Sequence, residues 1–380
     1  MLGKLRPVGS RVPKPEFPGE LELPWQTLYQ TYLMGSGTEA LSAAVAISIG
    51  RKPDVTAPEV ILPAYGCPDL IAATVAQSAK PVLVDLEPGR PFMSAVGVKS
   101  ALTESTVAVV GVGFLGIPER LERLAEICVE SNLTLIEDSA QCFPPASSVQ
   151  GWADLVVLSF GRGKPINLMG GGALLASNAN LGNVASTLSQ YPLKNQKLGL
   201  AWRSMRILFN FLMSRIPFAI IERIPQFAIG ETRFHTLDEI FRLEIPSCLL
   251  SSGIGDFNLR APLTFLYNQK LEELESRGWT LLAKHLVNDS GMDQALLRYP
   301  LLAPDRLIRD RALERLNGAG IGASAFYEHS LEEIDGIDEI LPESECPVAK
   351  DFAARLLTLP THEDVRDGDV STMARELFRL

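Results

Sequence analysis

Leu133-Thr134-Leu135-Ile136-Glu137-Asp138-Ser139-Ala140-Gln141 is a short run of strand-forming residues that stops at two carboxylates and a polar turn. A β-rich run of this length, closed by turn residues, reads as a strand that delivers side chains at its carboxyl end. Similar runs lie on either side of it, at 59–62, 81–85, 107–110, 155–158 and 173–176. Helical stretches fall between most of them, at about 39–50, 68–78, 94–102 and 118–131. Strands alternating with helices imply crossover connections and a largely parallel sheet covered on both faces. Ligands of such sheets sit beyond the carboxyl ends of the strands, so chemistry is sought there.

Beyond this block the pattern changes. Residues 183–250 are rich in Leu, Ile, Phe and Arg, with Pro192, Pro217, Pro225 and Pro246, and read as helices and bends without a catalytic signature. A charged helix is predicted over 263–277, leading into a smaller α+β domain that ends at Leu380. The expected division is a large domain over 1–255, with an extended N-terminal arm at 1–25, and a small domain over 256–380. A chain of 380 residues is long enough for two such domains.

Composition narrows the function. The chain has 45 acidic and 35 basic residues, a formal charge of −10, which makes nucleic acid an unexpected partner. Cys67, Cys128, Cys142, Cys248 and Cys346 are scattered and form no C-x-x-C pair, which fits a reducing cytoplasm and no zinc site. Four scattered histidines point to no metal either. The first residues lack the apolar core of a signal peptide, and no transmembrane span is expected. The most apolar stretch, 198–229, is interrupted by Arg203, Arg206, Arg215, Glu222 and Arg223. It reads as core or dimer interface, with weak contact to a membrane surface as the alternative.

Three features fall in one order. Gly35-Ser36-Gly37-Thr38 directly precedes a helix, where backbone N–H groups and the helix N-terminus favour an anion; Ser36 or Thr38 as a simple cap is the competing reading. Asp138 can bind the protonated nitrogen of a pyridine ring and keep it able to accept carbanion electrons, and Gln141 can bond that ring's phenolic oxygen. Ser159-Phe160-Gly161-Arg162-Gly163-Lys164 puts a lysine on a glycine-rich turn after a strand, with room to reach the same crevice and form an imine. Together they supply a phosphate seat, a ring-nitrogen partner and an amine nucleophile.

These residues resemble the DegT/DnrJ/EryC1/StrS family of aminotransferases. Ser36-Gly37-Thr38-Glu39-Ala40-Leu41 is similar to the family's S-G-T-x-A-L, and Ile136 to Gln141 to its I-E-D-x-A-Q. Ser159-Phe160 followed by Lys164 resembles S-F-x-x-x-K, and Phe257-Asn258-Leu259-Arg260 resembles Y-N-x-R. The resemblance implies a fold type I pyridoxal 5'-phosphate (PLP) enzyme, an α/β protein with a mainly parallel seven-stranded sheet. It also implies a homodimer with shared sites, and transfer of an amino group from an amino acid, glutamate being usual, to a nucleotide-linked keto-sugar.

By the same resemblance Lys164 carries the cofactor as a Schiff base and moves the proton, and Asp138 meets the ring nitrogen. Ser36, Gly37, Thr38 and Ser159 hold the phosphate, and Asn258 reaches the phosphate of the neighbouring subunit. Arg162, Arg260 and Tyr327 are candidates for substrate contact. The chain departs from the family pattern at Cys67, where an aromatic ring usually covers the cofactor; either the Cys67 sulfur makes a weaker contact with the cofactor ring or Tyr65 substitutes. It also has Glu332 in place of a histidine near the sugar. Some relatives are dehydratases with histidine at the lysine position, and Lys164 speaks against that branch.

Two other readings compete. Gly111-Val112-Gly113-Phe114-Leu115-Gly116 follows a β-run and precedes acids about 20 residues on, as in a dinucleotide fingerprint, which would make the chain a nicotinamide-dependent oxidoreductase. A non-catalytic, membrane-surface protein is the other.

Overall fold

The computed structural model describes residues 3–16, 23–178, 181–222, 233–290, 295–337, 339–341 and 344–380. Twelve strands are present among them: β1 (Tyr29–Met34), β2 (Glu59–Pro63), β3 (Lys80–Val84), β4 (Thr106–Val112), β5 (Thr134–Asp138), β6 (Leu155–Ser159), β7 (Gly172–Ser177), β8 (Leu193–Asn195), β9 (Arg242–Glu244), β10 (Thr280–Leu281), β11 (Arg298–Leu302) and β12 (Leu356–Pro360). The first nine form one sheet in the order β3-β2-β4-β5-β6-β7-β1-β9-β8. The last three form a separate antiparallel sheet.

From β3 to β6 all pairs are parallel. β7 runs antiparallel to both β6 and β1, so β1 points the same way as the parallel set. This is the expected seven-stranded sheet with one reversed strand. It is extended by β9 and β8, two three-residue strands in the segment read from sequence as helices and bends.

The parallel strands are apolar on both faces because both faces are covered. Val60, Leu62, Ala108, Val110, Leu155 and Val157 pack towards the helix Gly37–Gly50. The alternate residues Ile61, Val109, Val156 and Leu158 pack on the other side, with the helices Leu121–Glu130 and Ser247–Asn258. Each such side chain is worth about 1.5–3 kcal/mol when fully buried. The helix Gly37–Gly50 is therefore buried nearly all round, with ten of its residues inside.

A third cluster joins the small antiparallel sheet and the helices Thr264–Leu271, Arg306–Gly318, Pro347–Arg355 and Asp367–Leu377 to Tyr65, Phe114 and Leu115 at the large sheet's edge. The residues predicted as one helix at 263–277 form an α-helix over Thr264–Leu271 and a 3-10 turn over Glu272–Arg277.

Residues 3–16 have no regular structure but are docked. The Leu5 amide donates to the Gly320 carbonyl, and Arg6, 2% exposed, pairs with Glu363 and Asp364. Asn167 Nδ2 donates to the Ser10 carbonyl at 2.7 Å. Residues 3–16 are thus a strap lying against the Lys164 loop.

Most of the described part of the stretch from 198 lies outside the core, with Phe218 buried. The helix Leu200–Leu212 has no buried residue, and Leu200, Phe211 and Ile220 are 83%, 62% and 60% exposed. It is followed by Arg215–Ile221, bent by 89° at the break, and no single helix among the described residues is long and apolar enough to cross a membrane. Residues 223–229 lie outside the described set.

Candidate active site

Asp138 ends β5, opposite Val112 of β4, and Ser159 ends β6, opposite Gly172 of β7. On the other flank Gly172 pairs with Met34, the last residue of β1. The chain leaving Met34 must therefore cross over Gly172 to enter the helix at Gly37. A Cβ on Gly172 would stand 2.5 Å from Ser36 backbone atoms, and one on Gly37 would stand 2.7 Å from Ser159 Cβ. Two glycines without side chains thus bring a helix N-terminus against the Ser159 hydroxyl. The result is a cradle of backbone N–H groups and a hydroxyl, suited to a phosphate.

The turn that follows Ser159 is pinned on both sides. The Phe160 amide donates to the Gly171 carbonyl, and the amides of Leu168 and Gly170 donate to Phe160. Gly163 and Gly171 have φ of +77° and +87°, a conformation glycine adopts without penalty. This loop turns Lys164 back into the crevice.

One pocket is lined by Gly37, Thr38, Leu41, Cys67, Asp69, Leu70, Val112, Asp138, Ala140, Gln141, Ser159 and Lys164. Seven of the predicted positions meet there: Gly37, Thr38, Cys67, Asp138, Gln141, Ser159 and Lys164. Asp138 Oδ1 accepts the Ala140 amide at 2.9 Å. Burial raises the Asp138 pKa above the ordinary aspartate value, with Asp69 and Glu137 adding to the rise and the Ala140 N–H and Lys164 opposing it. Gln141 is held by the Leu115 amide, which donates to its Oε1, while its Nε2 donates to the Tyr327 hydroxyl, both at 3.2 Å. The Cys67 thiol is hydrogen-bonded with Tyr327 and is pushed up to about 12 by burial, then by Asp69. Among the described residues no hydrogen bond or ion pair engages the Lys164 amine.

Other predicted residues lie elsewhere. The Ser36 hydroxyl accepts the Glu39 amide at 3.1 Å, so it serves as the helix cap. Tyr65 does not cover the pocket: it is buried among Phe114, Tyr327 and Phe352, and its hydroxyl donates to the Tyr327 carbonyl. Arg162 turns outward over the Phe209 ring at 5.6 Å. Arg260 donates to the Pro165 carbonyl and lines a separate cavity of about 460 Å³ with Arg11 and His362. Asn258 is exposed at the end of its helix and does not line this chain's pocket. Glu332 accepts the Cys346 amide and lies 3.7 Å from Lys350, away from the pocket.

The dinucleotide reading fails locally. Gly111 and Val112 are inside β4, and the next helix starts only at Leu121. The space over Gly113 is filled by the Cys142 side chain, 2.5 Å from where a Cβ would stand. Glu137 is spent on the Ser139 hydroxyl and the Ala146 and Ser147 amides. No glycine nest opens a helix there, so a pyrophosphate has no seat.

Sequence reasoning missed Asp69. It follows Cys67-Pro68, opens the helix Asp69–Val75, and accepts a 2.7 Å hydrogen bond from Thr38 Oγ1 inside the pocket. Only the fold brings it there, since 31 residues separate the two side chains.

The pocket has a floor carboxylate with one oxygen bonded to an amide, an amine without a partner, and a cradle that a Cβ would fill. That donor set fits a phosphorylated pyridine aldehyde. The profile of the DegT/DnrJ/EryC1/StrS aminotransferase family matches residues 31–238 and 257–378. The chain belongs to this family. This aminotransferase is 26% identical over 359 residues to dTDP-4-dehydro-2,3,6-trideoxy-D-glucose 4-aminotransferase of Saccharopolyspora spinosa, covering 91% of this chain and 83% of that one. It is 25% identical over 362 residues to UDP-N-acetyl-3-dehydro-alpha-D-glucosamine 3-aminotransferase of Acidithiobacillus ferrooxidans, covering 90% and 82%. Its fold matches that of NtdA from Bacillus subtilis with bound cofactor PMP, with a TM-score of 0.68 at 15% identity, over 93% of this chain and 74% of that one. The cofactor of this aminotransferase is pyridoxal 5'-phosphate.

Proposed function

We propose that this aminotransferase moves an amino group from an amino acid, glutamate being the first candidate, to the carbonyl carbon of a nucleotide-linked keto-sugar. The observation that carries the reading is the meeting of Asp138, Lys164, Ser159 and the Gly37–Thr38 helix N-terminus in one pocket. The two curated relatives act on dTDP- and UDP-linked sugars, which supports the acceptor class.

When bound, PLP supplies an electron sink for the carbanion left by loss of the donor's α-proton. The chain's residues do the rest. Lys164 would hold the cofactor through its side-chain nitrogen, and as a free amine it would take the donor's α-proton and return it. Asp138 holds the ring-nitrogen proton, with the Ala140 amide fixing its carboxylate. Gln141, braced by Leu115 and Tyr327, meets the phenolic oxygen. Gly37, Thr38 and Ser159 seat the phosphate. Cys67, on the pocket wall at the position where the family has an aromatic ring, would offer the pyridine a small polarisable thiol.

The same reading makes the protein a cytoplasmic homodimer with shared sites and a division near residue 256. Five free thiols suit a reducing compartment. Asn258, exposed and remote from its own pocket, is assigned to the partner's phosphate. The apolar faces of Leu200–Leu212 and Arg215–Ile221 are assigned to the partner subunit, with weak contact to a membrane surface as the competing use.

The test is borohydride reduction of the holoenzyme followed by peptide mass mapping, with glutamate-dependent release of 2-oxoglutarate measured in parallel. A cofactor adduct on Lys164, and its loss with all turnover in Lys164→Ala, is the expected result. An adduct elsewhere, or a fully active Lys164→Ala, refutes the assignment.

A further inference from the structure

A second hydroxyl beside the cradle is already taken. Thr38 Oγ1 donates to Asp69 Oδ2 at 2.7 Å, and a hydroxyl has one proton to give. Asp69 lines the same pocket as the cradle and has no ion-pair partner among the described residues. Its charge is felt by Cys67, Asp138 and Tyr327, which raises the pKa of each. A carboxylate therefore stands beside the seat proposed for a group that is a dianion above about pH 6.

We infer that Asp69 and the cofactor's phosphate share one proton, taken up from solvent when the cofactor binds. Thr38 turns its hydrogen from Asp69 to a phosphate oxygen, and the acquired proton bridges the facing carboxylate and phosphate oxygens. Without it, two like charges at hydrogen-bond distance oppose each other, as in a carboxylate dyad that cannot ionise twice. Asp69 thereby makes cofactor retention fall as pH rises. The groups facing it are Thr38 on the first helix, Cys67 on the turn after β2, Asp138 at the end of β5, Lys164 on the loop after β6, and Tyr327. Burial keeps the Cys67 and Tyr327 protons in place near neutrality.

The inference rests on assigning Gly37, Thr38 and Ser159 to the phosphate, and the experiment separates the two. Apoprotein is titrated with pyridoxamine 5'-phosphate, which forms no imine with Lys164, and with pyridoxamine, which has no phosphate. Wild type, Asp69→Asn, Asp69→Ala and Ser159→Ala are compared from pH 6.5 to 8.5, with thermal melts as a check on folding. Ser159→Ala is expected to weaken the phosphorylated ligand alone. The affinity ratio of Asp69→Asn to wild type for that ligand should widen by about tenfold per pH unit, the slope of one linked proton. Lys164 and Asp138 are common to both proteins and drop out of the ratio. Pyridoxamine should show no such divergence. Parallel pH profiles for Asp69→Asn, Asp69→Ala and wild type overturn the role of Asp69 while leaving the cradle intact. If Ser159→Ala fails to discriminate the two ligands, the cradle assignment falls, and the inference with it.

Discussion

Gly172→Ala should loosen cofactor binding although residue 172 bears no functional group. The added methyl would stand 2.5 Å from the Ser36 carbonyl carbon and oxygen and 2.7 Å from the Gly37 amide nitrogen. That is roughly 1 Å short of ordinary contact, and backbone cannot swing aside as a side-chain tip can. β7 is held on both flanks, by β6 and by β1, so the strain is relieved by moving the helix N-terminus away from Ser159. Overpacking of this kind costs about 1–3 kcal/mol. If the displaced cradle carries that whole cost, cofactor affinity falls by about 5- to 150-fold. Gly161→Ala is the internal control. It lies in the glycine-rich turn after β6, yet its new methyl would meet nothing closer than the Ser159 hydroxyl at 3.7 Å. Binding of pyridoxamine 5'-phosphate by absorbance, beside a thermal melt, reads both variants. Wild-type affinity in a folded Gly172→Ala protein would refute the crossing of Ser36 and Gly37 over residue 172 as the source of the cradle.

Asp138→Asn should fold and still bind cofactor but slow the first half-reaction with glutamate by about 10²- to 10⁴-fold, since an amide cannot hold the ring proton. Single-turnover absorbance measures it, and a rate within twofold of wild type removes Asp138 from that role. The Cys67 thiol, pushed up to about 12 by burial and by Asp69, should stay protonated at pH 8. Its alkylation by iodoacetamide should be about a thousandfold slower than in the unfolded chain, where a free thiol ionises near pH 8.5. Mass mapping that finds Cys67 labelled at the unfolded rate would contradict a half-buried thiol held un-ionised on the pocket wall.

The strands from 59 to 176 were legible because both faces of a parallel sheet must be apolar, which writes them as uninterrupted runs such as Val107–Val110. β1 was not. Tyr29-Gln30-Thr31-Tyr32 mixes polar and aromatic residues, and its place beside β7 depends on pairing with residues as distant as Ser177. β8 and β9 are three residues each, too short for any periodicity to register. The docked arm was hidden for another reason: Arg6 and Leu5 look like surface residues until Gly320, Glu363 and Asp364 are brought up against them.

The site divides in the same way. Lys164, Asp138, Gln141 and the Gly37–Thr38 turn announce themselves because each sits in a local pattern that fixes its backbone: a strand end, a glycine turn, a helix start. Sequence alone therefore determined the class of fold and the family, and singled out most of the residues that meet in the pocket. Only the tertiary structure decided which neighbours those groups have. It placed Cys67 and not Tyr65 on the pocket wall, spent Ser36 on a cap, turned Arg162 and Arg260 away, and set Asp69 against Thr38. Local propensity is carried by adjacent residues and can be read along the chain, whereas proximity between distant side chains exists only once packing has brought their elements together.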